Sequence, residues 1–151
     1  MNIFECLRES HELQRSLCSR LVRSKPEQGL RQDIFIALRT ELAAHAAAEE
    51  RYLYVPILMD DAGLVVSRHA LSEHHEIDEL CEALSVRDKT STAWLEKAKK
   101  LSHEVRHHLK EEEQGFFQQA GKILSETQKK TLATKYQREL ARMRKSLASA
   151  G

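Results

Sequence analysis

The chain has 151 residues, enough for one domain with a core of its own, and 31% of them are charged at a formal net charge of +1, so no excess of charge points to nucleic acid or a membrane surface. Five glycines and two prolines in a background rich in Ala, Leu, Glu, Lys, Arg and Gln favour helices over strands. No apolar run approaches the ~18 residues of a membrane span, and "MNIFECLRES" lacks the apolar stretch of a secretory signal. Cysteines 6, 18 and 81 form neither a CxxC pair nor an even framework, so a reduced, cytoplasmic protein is expected.

The apolar spacing predicts a first helix over residues 2–24 through Ile3, Leu7, Leu13, Leu17, Cys18 and Leu21. "SKPEQG" at 24–29 breaks it, and Pro26 suits the first turn of the next helix. The second helix carries Ile34, Leu38, Leu42, His45, Glu49 and Leu53 on one stripe, with Pro56 expected to kink or end it and "DDAG" at 60–63 as the stop. A third helix is expected over 66–86, with Leu71, Ile77, Leu80, Cys81 and Leu84. "RDKTST" offers N-caps for a fourth over 92–119, through Trp94, Leu101, Val105, His108, Glu112 and Phe116. Ser125 and Gln128 make a capping-box pattern ahead of Leu132, Tyr136, Leu140, Met143 and Leu147, which share one face of a fifth, basic but amphipathic helix.

An internal repeat organises these elements. An offset of 63 residues carries His45 to His108, Glu49 to Glu112, Glu50 to Glu113, Leu53 to Phe116 and Tyr54 to Phe117. The same offset carries His11 to His74, Leu17 to Leu80, Cys18 to Cys81 and Leu21 to Leu84. It selects His74 over His75, and His108 over His107. Two helix-turn-helix units in succession predict an all-α fold, an up-down four-helix bundle over 1–120 plus an added helix over 125–148, together one domain of 1–151.

His45/Glu49 and His108/Glu112 lie four apart and share a helix face, directed with His11 and His74 toward the bundle axis. Six such groups in one buried layer would unfold a marginal domain unless something pairs them. Four imidazoles and two carboxylates match a pair of borderline metals, each holding two histidines and sharing Glu49 and Glu112, with an oxo or hydroxo bridge and a vacant position for a small molecule. Glu50 and Glu113 read as solvated groups or as hydrogen-bond partners of the ligands. His69, His75, His103 and His107 read as surface residues, and Cys18 and Cys81 as small buried hydrophobes. Leu17, Leu53, Leu80 and Phe116 are expected to wall the site.

"SHELQRSL", "HAAAEERYLYVPIL", "EHHEIDELCEAL" and "HHLKEEEQGFF" give the chain its resemblance to hemerythrin-like proteins with the HHE cation-binding domain, most closely a small mycobacterial type. The resemblance covers roughly residues 1–120. It implies a four-helix bundle holding two non-haem irons with an oxo or hydroxo bridge, and it implies that His11, His45, Glu49, His74, His108 and Glu112 are the metal ligands.

One departure from the family's oxygen carriers matters. They place two histidines four apart on the third helix, whereas here Asp78 follows His74 at that spacing, and Glu112 lies four after His108 where they use an aspartate five after. The missing histidine argues against stable oxygen storage and for open positions on both irons. Decomposition of hydrogen peroxide or processing of nitric oxide is expected, with Glu50, Glu113, Tyr52 and Tyr54 as candidates for proton handling. The alternatives are a protein that binds or senses oxygen, nitric oxide or iron without turnover, and iron-sulfur cluster repair. Repair is the less expected because the chain opens almost at its first ligand helix. The expected partner is a diatomic or peroxide ligand, with no nucleic acid and no membrane, in a monomer or weak dimer. A ferritin-like carboxylate oxidase does not fit, since the lone Glu-x-x-His, Glu104 with His107, lies off the ligand stripe.

Overall fold

The computed structural model describes residues 1–150, the side chains of Gln28 and Ala150 excepted; Gly151, the last residue of the expected domain, lies outside them. All regular structure among the described residues is helical. Helix α1 spans Ile3–Val22. Helix α2 spans Gln28–Glu49, widens into a π-helical turn at Glu50–Tyr54 and finishes as Val55–Leu58. A 3-10 turn, Asp61–Gly63, leads into α3 at Leu64–Leu84. Helix α4 spans Thr92–Glu111, passes through a second π-helical turn at Glu112–Phe116 and ends as Phe117–Ile123. Helix α5, Glu126–Ala150, lies across α1 and α2. The result is the expected up-down bundle of two helical hairpins with an added helix. No helix among the described residues is long and apolar enough to cross a membrane.

The helix ends show where local chemistry shifted the expected limits. Asn2 and Glu5 form a reciprocal capping box that starts α1 at Ile3. Pro26 sits ahead of α2 rather than in its first turn. Ser91 caps α4 through the Trp94 N–H, and Ser125 and Gln128 close the expected box at the start of α5. Pro56 does not end α2. A proline ring crowds the carbonyl four residues back and offers no N–H, and the wider turn just before it accommodates both defects.

The core has two apolar halves. One gathers Ile3, Phe4, Leu7, Leu53, Ile57, Phe116, Phe117 and Leu124 with Ala133, Tyr136 and Leu140 of α5. The other gathers Leu17, Leu21, Phe35, Leu38, Ile77, Leu84, Trp94, Leu101 and Val105. Cys18 and Cys81 belong to this second half as free thiols. Burial pushes them up to about 11 and about 12, which suits their expected role as inert small hydrophobes. At the end of that half the buried Arg31 donates to the carbonyls of Ser24 and Lys89 and to Ser24 Oγ, tying both hairpin connections together.

Gly63 makes the tightest backbone approach at the corner between α2 and α3. A Cβ there would stand 2.2 Å from the Ile57 carbonyl oxygen. Gly63→Ala should therefore cost roughly 1–3 kcal/mol of stability, the usual cost of overpacking, visible as a lower midpoint in urea unfolding. An unchanged midpoint would mean that the corner relaxes freely.

Candidate metal centre

The polar layer lies among these apolar residues. His11, His45, Glu49, His74, His108 and Glu112 are all buried. Two groups of four emerge, His11, His45, Glu49 and Glu112 in one and His74, His108, Glu49 and Glu112 in the other. Within each group the potential donor atoms lie within 4.8 Å of one another, and both groups contain the same two carboxylates. Each histidine pair comes from one repeat. His45 Nε2 stands 3.2 Å from Glu49 Oε1, which is also 3.2 Å from His74 Nε2; His11 Nε2 is 3.2 Å from Glu112 Oε1.

Every one of the four imidazoles is held from behind through Nδ1. His11 Nδ1–H donates to Glu113 Oε2 at 2.7 Å and His74 Nδ1–H to Glu50 Oε2 at 2.8 Å. These two bonds exchange under the 63-residue offset, and each crosses from one repeat to the other. His108 Nδ1–H donates to Glu73 Oε1 at 2.9 Å, while His45 Nδ1 pairs with Tyr136 Oη at 2.8 Å. Three carboxylates take the Nδ1–H of His11, His74 and His108, and Tyr136 holds the ring of His45, so all four Nε2 atoms face inward. His11 Nε2, His45 Nε2, His108 Nε2, Glu49 Oε2 and Glu112 Oε1 are buried with no hydrogen-bond partner. Native proteins seldom leave five such atoms orphaned in one place, and neutral imidazole and carboxylate are donors suited to borderline divalent ions.

The electrostatics describe the metal-free arrangement. Burial alone would depress the His11 and His74 imidazoliums, but hydrogen bonds to Glu112 and Glu113, and to Glu49 and Glu50, outweigh it and raise them to about 9 and about 10. Burial would raise Glu113, yet His11 and Arg15 bring it down to about 2. Between the two shared carboxylates the environment is unequal. Burial acts upward on both, the neighbouring histidines hold Glu49 well down, and Glu112 is pushed up by burial and by the Glu49 charge.

Tyr54 is placed where an α-helix would not put it. Five residues beyond Glu49, it would lie about 140° around an ideal helix. The π-helical turn brings its hydroxyl to Glu49 Oε1 at 2.9 Å, to Glu112 Oε2 and to within 3.3 Å of His74 Nε2. Burial first, then both carboxylate charges, raise the phenol well above its usual range, so it keeps its proton. Phe117, its counterpart in the repeat, stacks on His11 with 5.8 Å between ring centroids.

The expected walls need correction. A cavity of about 60 Å³ beside the ligands is lined by His45, His74 and His108 together with Gln14, Leu42, Ile77 and Cys81. Phe116 lines a second opening, over His108 and Glu112. Leu17 and Leu53 pack in the two core halves, and Leu80 borders a separate surface hollow with Glu76 and Lys100, because it faces away from the ligand stripe. Sequence spacing also left Tyr136 as one more apolar position of α5; its phenol on His45 had no counterpart in the repeat to reveal it. The opposite position to Glu73 in the first repeat is Ser10, whose Oγ donates to the buried Glu41 at 2.5 Å. Glu41 in turn takes a bidentate pair from Arg144 of α5, both contacts at 2.7 Å.

Comparison with known proteins agrees with this geometry. The family model described as Hemerythrin HHE cation binding domain matches residues 2–120. A curated relative from Nostoc sp. (strain PCC 7120 / SAG 25.82 / UTEX 2576), named a DNA nickase, is 26% identical over 147 residues. That match covers 97% of this chain but 41% of the relative, so the chain spans less than half of the relative's length. A crystal structure of a hemerythrin HHE cation-binding-domain protein from Mycobacterium kansasii superposes with a TM-score of 0.86 at 18% identity, covering 97% of this chain and 89% of that one, a likeness of fold.

Orphaned inward donors make a thermodynamic prediction. A divalent cation that binds only the folded chain should stabilise it, by on the order of 3 kcal/mol at a hundredfold excess over its Kd. The melting temperature should rise on loading and fall back with chelator. His45→Ala and Glu112→Ala should abolish the response and His75→Ala preserve it; a response that survives the first two and disappears in the third would move the site elsewhere.

Proposed function

The chain belongs to the hemerythrin HHE cation-binding domain family, and from that premise we propose that it is a non-haem di-iron protein that decomposes hydrogen peroxide. His11 and His45 would hold one iron, His74 and His108 the other, and Glu49 and Glu112 would be shared. The observation that carries the reading is the equality of the two donor sets, two histidines and the same two carboxylates each. A reversible oxygen carrier calls for a saturated ion beside an open one. Two ions held by equal sets would both be open to one small substrate, and the cavity of about 60 Å³ beside three of the histidines admits only a molecule of a few heavy atoms.

Bound there, the pair of irons supplies Lewis acidity and the exchange of two electrons, one per ion. The overall reaction reduces one peroxide to two waters and oxidises a second to oxygen, so two protons leave one substrate molecule and reach the other. Tyr54 is the residue best placed to hold such a proton, since its Oη lies between both shared carboxylates and keeps its hydrogen. Glu50 and Glu113 orient His74 and His11 by accepting hydrogen bonds from their Nδ1–H groups. Leu42, Ile77 and Cys81 give the cavity its apolar wall.

Metal analysis with an oxygen electrode tests the reading. The iron-loaded protein should contain two irons per chain and release oxygen from hydrogen peroxide over many turnovers. A long-lived oxygen adduct without peroxide turnover, or turnover of nitric oxide alone, would overturn the assignment. Tyr54→Phe should keep its iron and lose roughly 100-fold in peroxide turnover, within the range of a positioned proton donor. Full-rate turnover after that substitution would take Tyr54 out of the proton path.

A further inference from the structure

The His-x-x-x-Glu spacing occurs three times more, and two of these pairs, unlike the exposed His75 and Glu79, stand together one step outside the buried layer. His69 and Glu73 lie on α3, and His107 and Glu111 lie on α4. Three of the four side chains, His69, Glu73 and Glu111, converge with one donor atom each within 4.8 Å of the others, and His107 stands at their edge. His69 Nε2 stands 3.2 Å from Glu111 Oε2 and 3.5 Å from Glu73 Oε2. His107 Nε2 stands 3.6 Å from Glu111 Oε2 and 4.0 Å from Glu73 Oε2. Donors about 2.1 Å from one tetrahedral ion would be about 3.4 Å apart, close to the spacing of His69, Glu73 and Glu111, while the exposed His107 would swing inward to join them as the fourth.

Position gives the cluster a second meaning. It stands over a cleft lined by His69, Glu73, Glu111 and Phe116, whose deepest residues are the buried His108 and Glu112. Glu73 belongs to both places, since its Oε2 faces the outer histidines while its Oε1 accepts from His108 Nδ1. The first repeat differs at these positions. Its positions equivalent to His69 and Glu73 are Cys6 and Ser10, both buried, and α5 packs across α1 and α2 there.

We propose that His69, Glu73, His107 and Glu111 form a third cation site at the mouth of this cleft, which takes a divalent first-row transition ion and delivers it to the buried pair. The site rests on that two-metal reading for its role in delivery, though not for its ability to bind. It differs from the buried sites in exposure: its histidines are more than half exposed, so the ion held there exchanges readily with solvent. Two carboxylates at the mouth also raise the local concentration of cations at the entrance.

The test titrates the full-length metal-free protein with Co2+, followed by visible absorption, equilibrium dialysis and stopped-flow mixing. The wild type should take three ions per chain, the third weakly. The double variant His69→Ala/His107→Ala should take two and fill them about tenfold more slowly, the low end of what a charged cleft contributes to capture. Glu111→Gln should move both quantities in the same direction with its shape retained, and His75→Ala should match the wild type. A double variant with the wild-type stoichiometry, or with the wild-type rate of filling, overturns the proposal while leaving the buried pair in place. A single ion that is lost in the double variant and indifferent to Glu49→Gln would establish the mouth site and refute the buried pair.

Discussion

Four imidazoles and two carboxylates occupy one buried layer, and each polar group left uncompensated there costs roughly 1–3 kcal/mol. The rest of the molecule is arranged around that cost. Each histidine is compensated on its outer side, by Glu113, Glu50, Glu73 or Tyr136, and only His74 has an inner partner as well, the Tyr54 hydroxyl. Five inner atoms, three of them imidazole nitrogens, remain unpaired, a set of donors that a cation would complete. This division of labour sets the geometry. The outer bonds hold four rings at chosen angles before any ion arrives, and two apolar core halves keep the helices that carry them in register.

The two repeats solve the same problem with different materials. His11 and His74 lean on glutamates of the opposite hairpin, so neither hairpin supplies a complete site. His108 takes a carboxylate at the cleft, whereas His45 takes a phenol delivered by α5. A carboxylate pulls the imidazole proton more strongly than a phenol, and it increases the basicity of the opposite nitrogen. The two groups of potential donors are therefore alike in residue types and unequal in field. Helix α5 is secured for this task by Glu41, which burial would raise but which Arg144 and Ser10 hold below its usual range.

The periodicity and the repeat made the helices, the hairpins and the convergence of the six inward residues legible, because all of these follow from positions three, four and 63 residues apart. The repeat also sets Glu50 and Glu113 apart from the inward layer, while leaving open whether they meet solvent or the imidazoles; the structure shows the second. Tyr54 was named only among several proton-handling candidates, since its place between Glu49 and Glu112 depends on a wide turn that 3.6-residue spacing does not contain. Leu80 is paired with Leu17 by the repeat, yet it stands six residues after His74, about 240° around an ideal helix, and faces away from the layer. The Lys89 carbonyl that Arg31 reaches and the Tyr136 phenol on His45 lie far away in sequence and recur nowhere. What repeats can be read from one chain; what breaks the repeat needs coordinates.

Both π-helical turns begin beside a shared carboxylate, one directly after Glu49 and one at Glu112. Their position follows from what three kinds of side chain must do in six residues. The glutamate faces inward, the next glutamate reaches the other hairpin, and the aromatic residue five positions on must return to the layer. An α-helix would satisfy the first two and send the third about 140° away. Widening one turn brings the aromatic back, and it does so twice, giving Phe117 its stacking on His11 and Tyr54 its hydroxyl between the carboxylates. The repeat thus preserves the backbone defect while the side chain differs, and that one oxygen is what separates a packed ring from a group able to carry a proton at the centre.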